Sequence, residues 1–184
     1  MTEAKLIVLT GGPGAGKTAT LEVVRRDSCK HVEVLPEAAG IVFGGGFPRR
    51  MTDAAVRAAQ RAIYRVQCEL ERLTTDEGIA KVIFCDRGTL DGLAYWPGAE
   101  VDFFHELGTS LEVELARYAL DIHLRTPAAH HGYNHHNPLR IESAHEAAAI
   151  DERIAQIWSR HDSAHESPSR LVRRPSGLRL PVSM

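Results

Sequence analysis

A chain of 184 residues with 43% hydrophobic and 25% charged residues can bury a sizeable core, which excludes a disordered chain and a fibrous repeat. Lys and Arg number 22 against 24 Asp and Glu, a net charge of -2, so nothing in the charge balance supports nucleic-acid binding. The longest apolar run near the N-terminus, residues 6–9, is too short for a membrane span or a signal-peptide core, and the expectation is one cytoplasmic, soluble domain over 1–184 with no membrane partner. Cys29, Cys68 and Cys85 are widely spaced, form no C-x-x-C pair, and read as buried thiols.

Short continuous apolar runs separated by helical patterns predict parallel strands covered on both faces, hence an α/β fold. The first run, 6–9, stops at Gly11, where a glycine-rich turn leads into a helix expected over 17–26. A second run, 31–35, ends at Pro36-Glu37. The stretch FGGGFPRR at 43–50 is expected to be a mobile loop, because consecutive glycines lose much backbone entropy and Pro48 removes a donor. Thr52 is placed to cap a long helix that Gly78 stops. Its apolar positions are Val56, Ile63, Val66, Leu70 and Leu73; Arg57, Arg61 and Arg65 mark another face, read as solvated, with contact to an acidic substrate as the other option.

A third run, 81–85, ends in Asp86-Arg87-Gly88. Thr109-Ser110-Leu111-Glu112 has the form of a capping box for a helix to about residue 119, and a fourth strand follows over 120–124. Residues 126–140 lack periodicity and read as a lid-like excursion; His130, His131, His135 and His136 have no regular face to aim them at a metal and read as lid polarity. A last helix over 141–161 places Ile150, Ile154, Ile157 and Trp158 on one side, and both Trp96 and Trp158 read as packing. The tail, 162–184, is expected to be irregular, with Arg170-Leu171-Val172 as a candidate fifth strand.

Gly11-Gly12-Pro13-Gly14-Ala15-Gly16-Lys17-Thr18 fits G-x-x-x-x-G-K-[ST] at every fixed position, between a predicted strand and a predicted helix. Glycines let successive N–H groups turn inward on a polyphosphate, and the helix N-terminus adds partial positive charge. The segment of Gly12, Pro13, Gly14, Ala15, Gly16, Lys17, Thr18 and Ala19 is therefore the expected ATP-binding set, with Lys17 on the β- and γ-phosphates and Thr18 on Mg²⁺. The strand ending in Asp86 places a second metal ligand at the carboxyl edge of a parallel sheet.

With these residues in place, the chain resembles the P-loop kinase and ATPase group that includes nucleoside and nucleotide kinases. It is most similar to the small bacterial AAA-domain ATPase family related to ribosylnicotinamide kinases. The carriers are GGPGAGKT at 11–18, PEAA at 36–39, DRGTLDGLAYW at 86–96, RYALDIHL at 117–124 and IDERIAQIW at 150–158. The resemblance implies a three-layer P-loop fold with a parallel sheet of four to five strands in the kinase-like order 2-3-1-4-5 and helices on both faces. It implies an enzyme that moves the γ-phosphoryl of Mg·ATP to a small, nucleoside- or nucleotide-like acceptor. By the same resemblance Glu37 holds the acceptor hydroxyl or caps a turn, Arg87 faces the transferred group, and Asp91 lines the acceptor pocket or holds the loop. Arg140, with Arg125 as alternate, closes over the phosphates from the lid.

Two departures stand out. The family carries an Arg shortly after PEA, whereas this chain has Gly40-Ile41, so that contact is lost or passes to Arg49 or Arg50. The family also ends in a fifth strand and a packed helix, and no amphipathic helix follows residue 162, leaving a sheet face that a second subunit would cover in a homodimer. The competing function is an ATPase or nucleotide-dependent switch that acts on a protein partner. A GTP switch lacks its N-K-x-D sequence, and the chain is too short for the helical second domain of an AAA+ motor.

Overall fold

The computed structural model describes residues 4–125, 144–161 and 164–167. Strands β1 (Lys5–Thr10), β2 (Val32–Leu35), β3 (Val82–Asp86), β4 (Leu120–Leu124) and β5 (Ala164–Ser167) form one parallel sheet in the order β2-β3-β1-β4-β5, the kinase-like order expected. Register pairs Leu9 with Asp86 and Thr10 with His123. Strands β1, β3 and β4 thus deliver their next residues to one carboxyl edge, where open α/β sheets bind ligands.

Alternation along the strands divides the core between two faces. Val8, Ile83 and Cys85 pack with Tyr118, with Leu90 of the 3-10 helix Thr89–Tyr95, and with Ile150, Ile154, Ile157 and Trp158 of the last helix, α6 (Ala144–Trp158). Leu9, Val34 and Leu124 pack on the other face against Leu21 of the first helix, α1 (Lys17–Asp27). Helix α6 spans Ala144–Trp158 among the described residues, and its predicted apolar side is the buried one. No helix among the described residues is long and apolar enough to cross a membrane.

Helix α2 (Ala38–Gly44) takes in Phe43 and Gly44, the start of the expected loop, because Ala38 and Val42 lie one turn apart and both are buried. Helix α3 (Asp53–Glu77) begins and ends as read: Thr52 Oγ1 accepts from the Ala55 N–H at 3.3 Å, and Gly78 stops the helix at φ 69°. Its inner face is only in part the apolar stripe expected: Val56, Ile63, Val66 and Leu70 are half-buried, Leu70 against the core. Gln60, Tyr64, Gln67 and Glu71 are buried on one face, while Leu73 is exposed. The arginine stripe is solvated only in part, with Arg65 exposed and Arg57 and Arg61 half-buried. It docks α4 (Glu100–Leu107): Arg57 donates to Glu106 at 2.7 Å and to the Pro97 carbonyl at 2.9 Å, Arg61 pairs with Glu106, and Arg65 donates to the Leu107 carbonyl at 2.9 Å.

Helix α5 (Leu111–Leu115) starts on Ser110, whose Oγ accepts from the Val113 N–H, and ends short of residue 119. Thr109 instead donates to Glu114 Oε1 at 2.6 Å. The fifth strand is found at Ala164–Ser167, where it pairs with β4, so that part of the tail is extended. The 170–172 segment and the 126–140 excursion with its histidines lie outside the described residues. Of the three thiols, Cys85 is buried, Cys68 half-buried and Cys29 exposed.

Gly88 sits where this packing is tightest. A Cβ there would lie 2.6 and 2.8 Å from the Trp158 ring and 3.0 Å from Val8. Gly88→Ala is expected to cost about 1–3 kcal/mol by overpacking and to lower the thermal midpoint by roughly 2–4 °C per kcal/mol. Thermal denaturation of the variant measures this, and an unchanged midpoint would show that the tryptophan yields freely.

Candidate active site

The loop between β1 and α1 opens with Gly11 at φ 131°, pressed so closely on β4 that a Cβ would stand 2.1 Å from the Leu124 carbonyl oxygen. Only glycine fits there. Gly16 is the N-cap of α1; no side chain caps the helix and no acidic residue sits in its first turn. Its amides and positive end therefore face the cleft as an anion site. Lys17 is buried and donates from Nζ to the carbonyls of Gly11 at 2.8 Å and Gly12 at 3.0 Å. Burial, reinforced by the Arg87 guanidinium, lowers its pKa to about 7.

Asp86 ends β3 beside this loop. Burial, and then the neighbouring Glu37 carboxylate, push its carboxyl up to about 6. Arg87 takes a left-handed φ of 75°, unusual for a side-chain-bearing residue, which turns its guanidinium back over the loop. It donates from Nε to Glu37 Oε1 at 2.7 Å and from Nη1 to Asp91 at 3.1 Å and to the Gly11 carbonyl at 3.3 Å. Burial raises the Glu37 carboxyl, but the charge and hydrogen bond of Arg87 outweigh it and hold the group below the ordinary carboxylate range. Burial also opposes the charge on Arg87, yet Tyr95, Glu37 and Asp91 keep it firmly protonated.

Asp91 is buried with three donors on its carboxylate: the Thr10 hydroxyl at 2.8 Å, Arg87, and the Trp158 indole N–H at 2.8 Å. It therefore joins the ends of β1, the loop after β3 and α6. Trp158 belongs to the core, as read, but also carries this bond.

One cleft of about 520 Å³ collects most of the expected site: Pro13 through Ala19, Glu37, Asp86, Arg87 and Asp91 all line it. Gly12 does not; its N–H points away, to Asp151 Oδ1 at 2.7 Å. Arg125 also lies off the cleft, against Asp151 and Glu152, and Arg140 is outside the described residues. Gly40 lines the wall where the family carries its arginine; Arg49 and Arg50 line the same cleft, Arg49 stacked 4.9 Å over the Phe43 ring.

Beyond Glu37 the cleft runs along α3 past Gln60, Tyr64 and Gln67. None of these was singled out as a site residue, since a hydrophobic-pattern reading has no place for a polar inner face. Their clustering at helical spacing is the signal that finds them. Gln67 donates from Nε2 to Glu71 Oε1 at 2.8 Å, which fixes the amide because a carboxylate only accepts. Glu71, in turn, takes the Tyr118 hydroxyl at 2.8 Å and the Arg117 guanidinium. Tyr64 donates to Glu114 at 2.6 Å. Gln60 Oε1 packs over Gly92, where a Cβ would approach it to 2.9 Å.

Thr18 and Asp86 offer a hydroxyl and a carboxylate, the hard oxygen donors that suit Mg²⁺ shared with substrate phosphates. Among the described residues no group of three His, Cys, Asp or Glu side chains could hold a metal without such help.

No curated protein matches the chain. Solved structures with the same fold include deoxyadenosine kinase from M. mycoides with bound dATP, at TM-score 0.58 and 13% identity over 91% of this chain and 92% of that one. NadR in complex with NAD and AMP-PNP aligns at TM-score 0.58 and 16% identity, over 89% of this chain and 44% of that one. Thymidylate kinase from Candida albicans aligns at TM-score 0.56 and 14% identity, over 90% and 84% of the two chains. At these identities the likeness is one of fold. The AAA domain family matches residues 6–165, most of the chain, and with a phosphate loop on a sheet shared with nucleoside and nucleotide kinases, this protein belongs to that family of P-loop NTPases.

Proposed function

We propose that the protein is a phosphotransferase that moves the γ-phosphoryl of Mg·ATP to a hydroxyl of a small nucleoside- or nucleotide-like acceptor. The observation that carries this is the second half of the cleft. A site that only hydrolyses nucleotide has no use for a carboxylate at Glu37 followed by a pocket along α3 lined by two amides, Gln60 and Gln67, the second held by Glu71.

In this reading the loop amides and Lys17 hold the β- and γ-phosphates, and Lys17 gives up its bonds to the Gly11 and Gly12 carbonyls to do so. Thr18 and Asp86 would hold Mg²⁺, which supplies charge neutralisation at the phosphate oxygens. Arg87 occupies Glu37 Oε1 and leaves Oε2 for the acceptor hydroxyl. As the acceptor oxygen bonds to the γ-phosphorus and the bond to the β-phosphate oxygen breaks, Glu37 takes the hydroxyl proton. Because Glu37 is held acidic, its work is mainly to orient the hydroxyl, which suits a loose transition state with late proton transfer. Arg87 offsets the charge spreading over the transferred group. Farther out, the Gln67 carbonyl and the Gln60 amide suit a ring with an amide-type edge, flanked by Phe43 and Tyr95.

ADP release from Mg·ATP, measured with and without pooled nucleosides and nucleotides, tests the whole reading. Stimulation by one pool, with phosphate recovered on a member, is expected, and Lys17→Ala should abolish it. Slow release indifferent to every pool would favour a nucleotide switch that acts on a protein partner.

Glu37→Gln should lower acceptor phosphorylation by about 100-fold while sparing nucleotide binding. A transfer rate equal to the parent's would remove Glu37 from the chemistry.

Lys17 adds a pH signature. With its pKa lowered to about 7 in the free protein, it is largely neutral at pH 8, and bound phosphates restore the charge, so binding there takes up about one proton. Asp86 is ionised at pH 8 in both states and contributes nothing. Titration calorimetry in buffers of different ionisation enthalpy reads the uptake; none at pH 8 would mean that Lys17 is already charged.

A further inference from the structure

We infer that Asp151 of α6 is the positioning residue that holds the phosphate loop in its binding shape, an inference that rests on the nucleotide-binding reading above. The Gly11-Gly12 segment is gripped from opposite sides. Its carbonyls accept from Lys17, at 2.8 and 3.0 Å, and the Gly11 carbonyl also accepts from Arg87. Its amide side is held from α6, where Asp151 Oδ1 accepts from the Gly12 N–H at 2.7 Å.

These grips are not equivalent once a polyphosphate arrives. Lys17 must leave the carbonyls to reach the phosphates, whereas nothing in that motion disturbs the Asp151 bond. Gly12 does not line the cleft, so Asp151 does not compete with the phosphates for its amide. With Lys17 gone, the amide grip and Arg87 are what keep the loop's first residues against Leu124 of β4.

A carboxylate this near a polyphosphate site opposes anion binding unless donors take up its charge. Here they do. His123 Nε2 lies 3.0 Å from the same Oδ1, and the Arg125 guanidinium lies 3.7 Å from Oδ2. His123 is buried, sits at the end of β4 beside Thr10, and its Nδ1 has no hydrogen-bond partner among the described residues. That arrangement makes Nε2 the donor, and the ring a fixed support for the carboxylate. Thus β4 and α6 jointly aim one oxygen at one backbone amide.

The test measures Mg·ADP binding by calorimetry and steady-state ATP turnover for the parent, Asp151→Ala, Asp151→Asn and Glu152→Ala, each checked for fold by circular dichroism and thermal midpoint. Asp151→Ala should raise the Kd for Mg·ADP and the KM for ATP by about tenfold, the worth of a hydrogen bond to a charged group, with a much smaller change in kcat. Asp151→Asn keeps an acceptor for the Gly12 N–H and should recover most of that loss, which a role in charge alone would not allow. Glu152→Ala, one residue along on the exposed side, should bind as the parent does.

Hydrogen exchange of the Gly12 amide in the parent, with and without Mg·ADP, gives a second reading that needs no variant. Strong protection is expected, and rapid exchange would overturn the inference. So would folded Asp151→Ala and Asp151→Asn proteins that both bind like the parent. If the parent itself binds no Mg·ADP, the nucleotide reading fails first, and the Gly12 exchange still reports whether Asp151 holds the loop.

Discussion

The buried carboxylate of Asp91 is the interaction on which the site depends. A charge out of water must be met by donors, and here they come from three places far apart in sequence: Thr10 at the end of β1, Arg87 after β3, and Trp158 on α6. Each donor brings its element to a set position. Arg87 is thereby turned so that its remaining N–H groups meet Glu37 and the Gly11 carbonyl, and that turn accounts for its left-handed backbone. The left-handed conformation of a side-chain-bearing residue persists because the surrounding bonds over-determine it.

On the proposed function, the cleft is prepared for a polyanion before one arrives. Lys17 is buried and Arg87 half-buried beside it, and the energetic tension shows in Lys17, whose pKa is lowered to about 7. The same crowding raises Asp86, which burial and Glu37 push to about 6. Both perturbations point one way: phosphates would relieve the lysine and a divalent cation would relieve the aspartate. In the proposed reading, perturbed groups of opposite sign suit the site to a metal–polyphosphate complex.

Helix α3 explains why the far half of the cleft was harder to read. Its buried residues Gln60, Tyr64, Gln67 and Glu71 are polar; Gln67 bonds to Glu71, and Tyr64 and Glu71 are tolerable inside because Glu114, Arg117 and Tyr118 complete their hydrogen bonds. Those partners lie some fifty residues away along the chain. A hydrophobic pattern counts Leu70 and Leu73 as inward and passes over the glutamines, yet Leu73 is exposed. The arginine stripe misleads for the same reason, since its partner Glu106 is invisible until α4 packs beside it.

What the sequence determined by itself are the features in which neighbours along the chain supply the physics. The phosphate loop, its strand and helix, the Thr52 cap and Gly78 stop of α3, and the carboxylate closing β3 all follow from local residue types and backbone geometry. Glu37, Arg87 and Asp91 were also legible, through motifs short enough to match a family. Tertiary structure alone decided which of these meet. It turned the Gly12 amide to Asp151, spent Asp91 on three elements, placed Arg49 and Arg50 in the cleft that Gly40 leaves open, and put the fifth strand at Ala164–Ser167 against β4. Those outcomes turn on buried charges and amides finding partners at long range, and such partners are chosen by how elements pack rather than by what stands next to them in the chain.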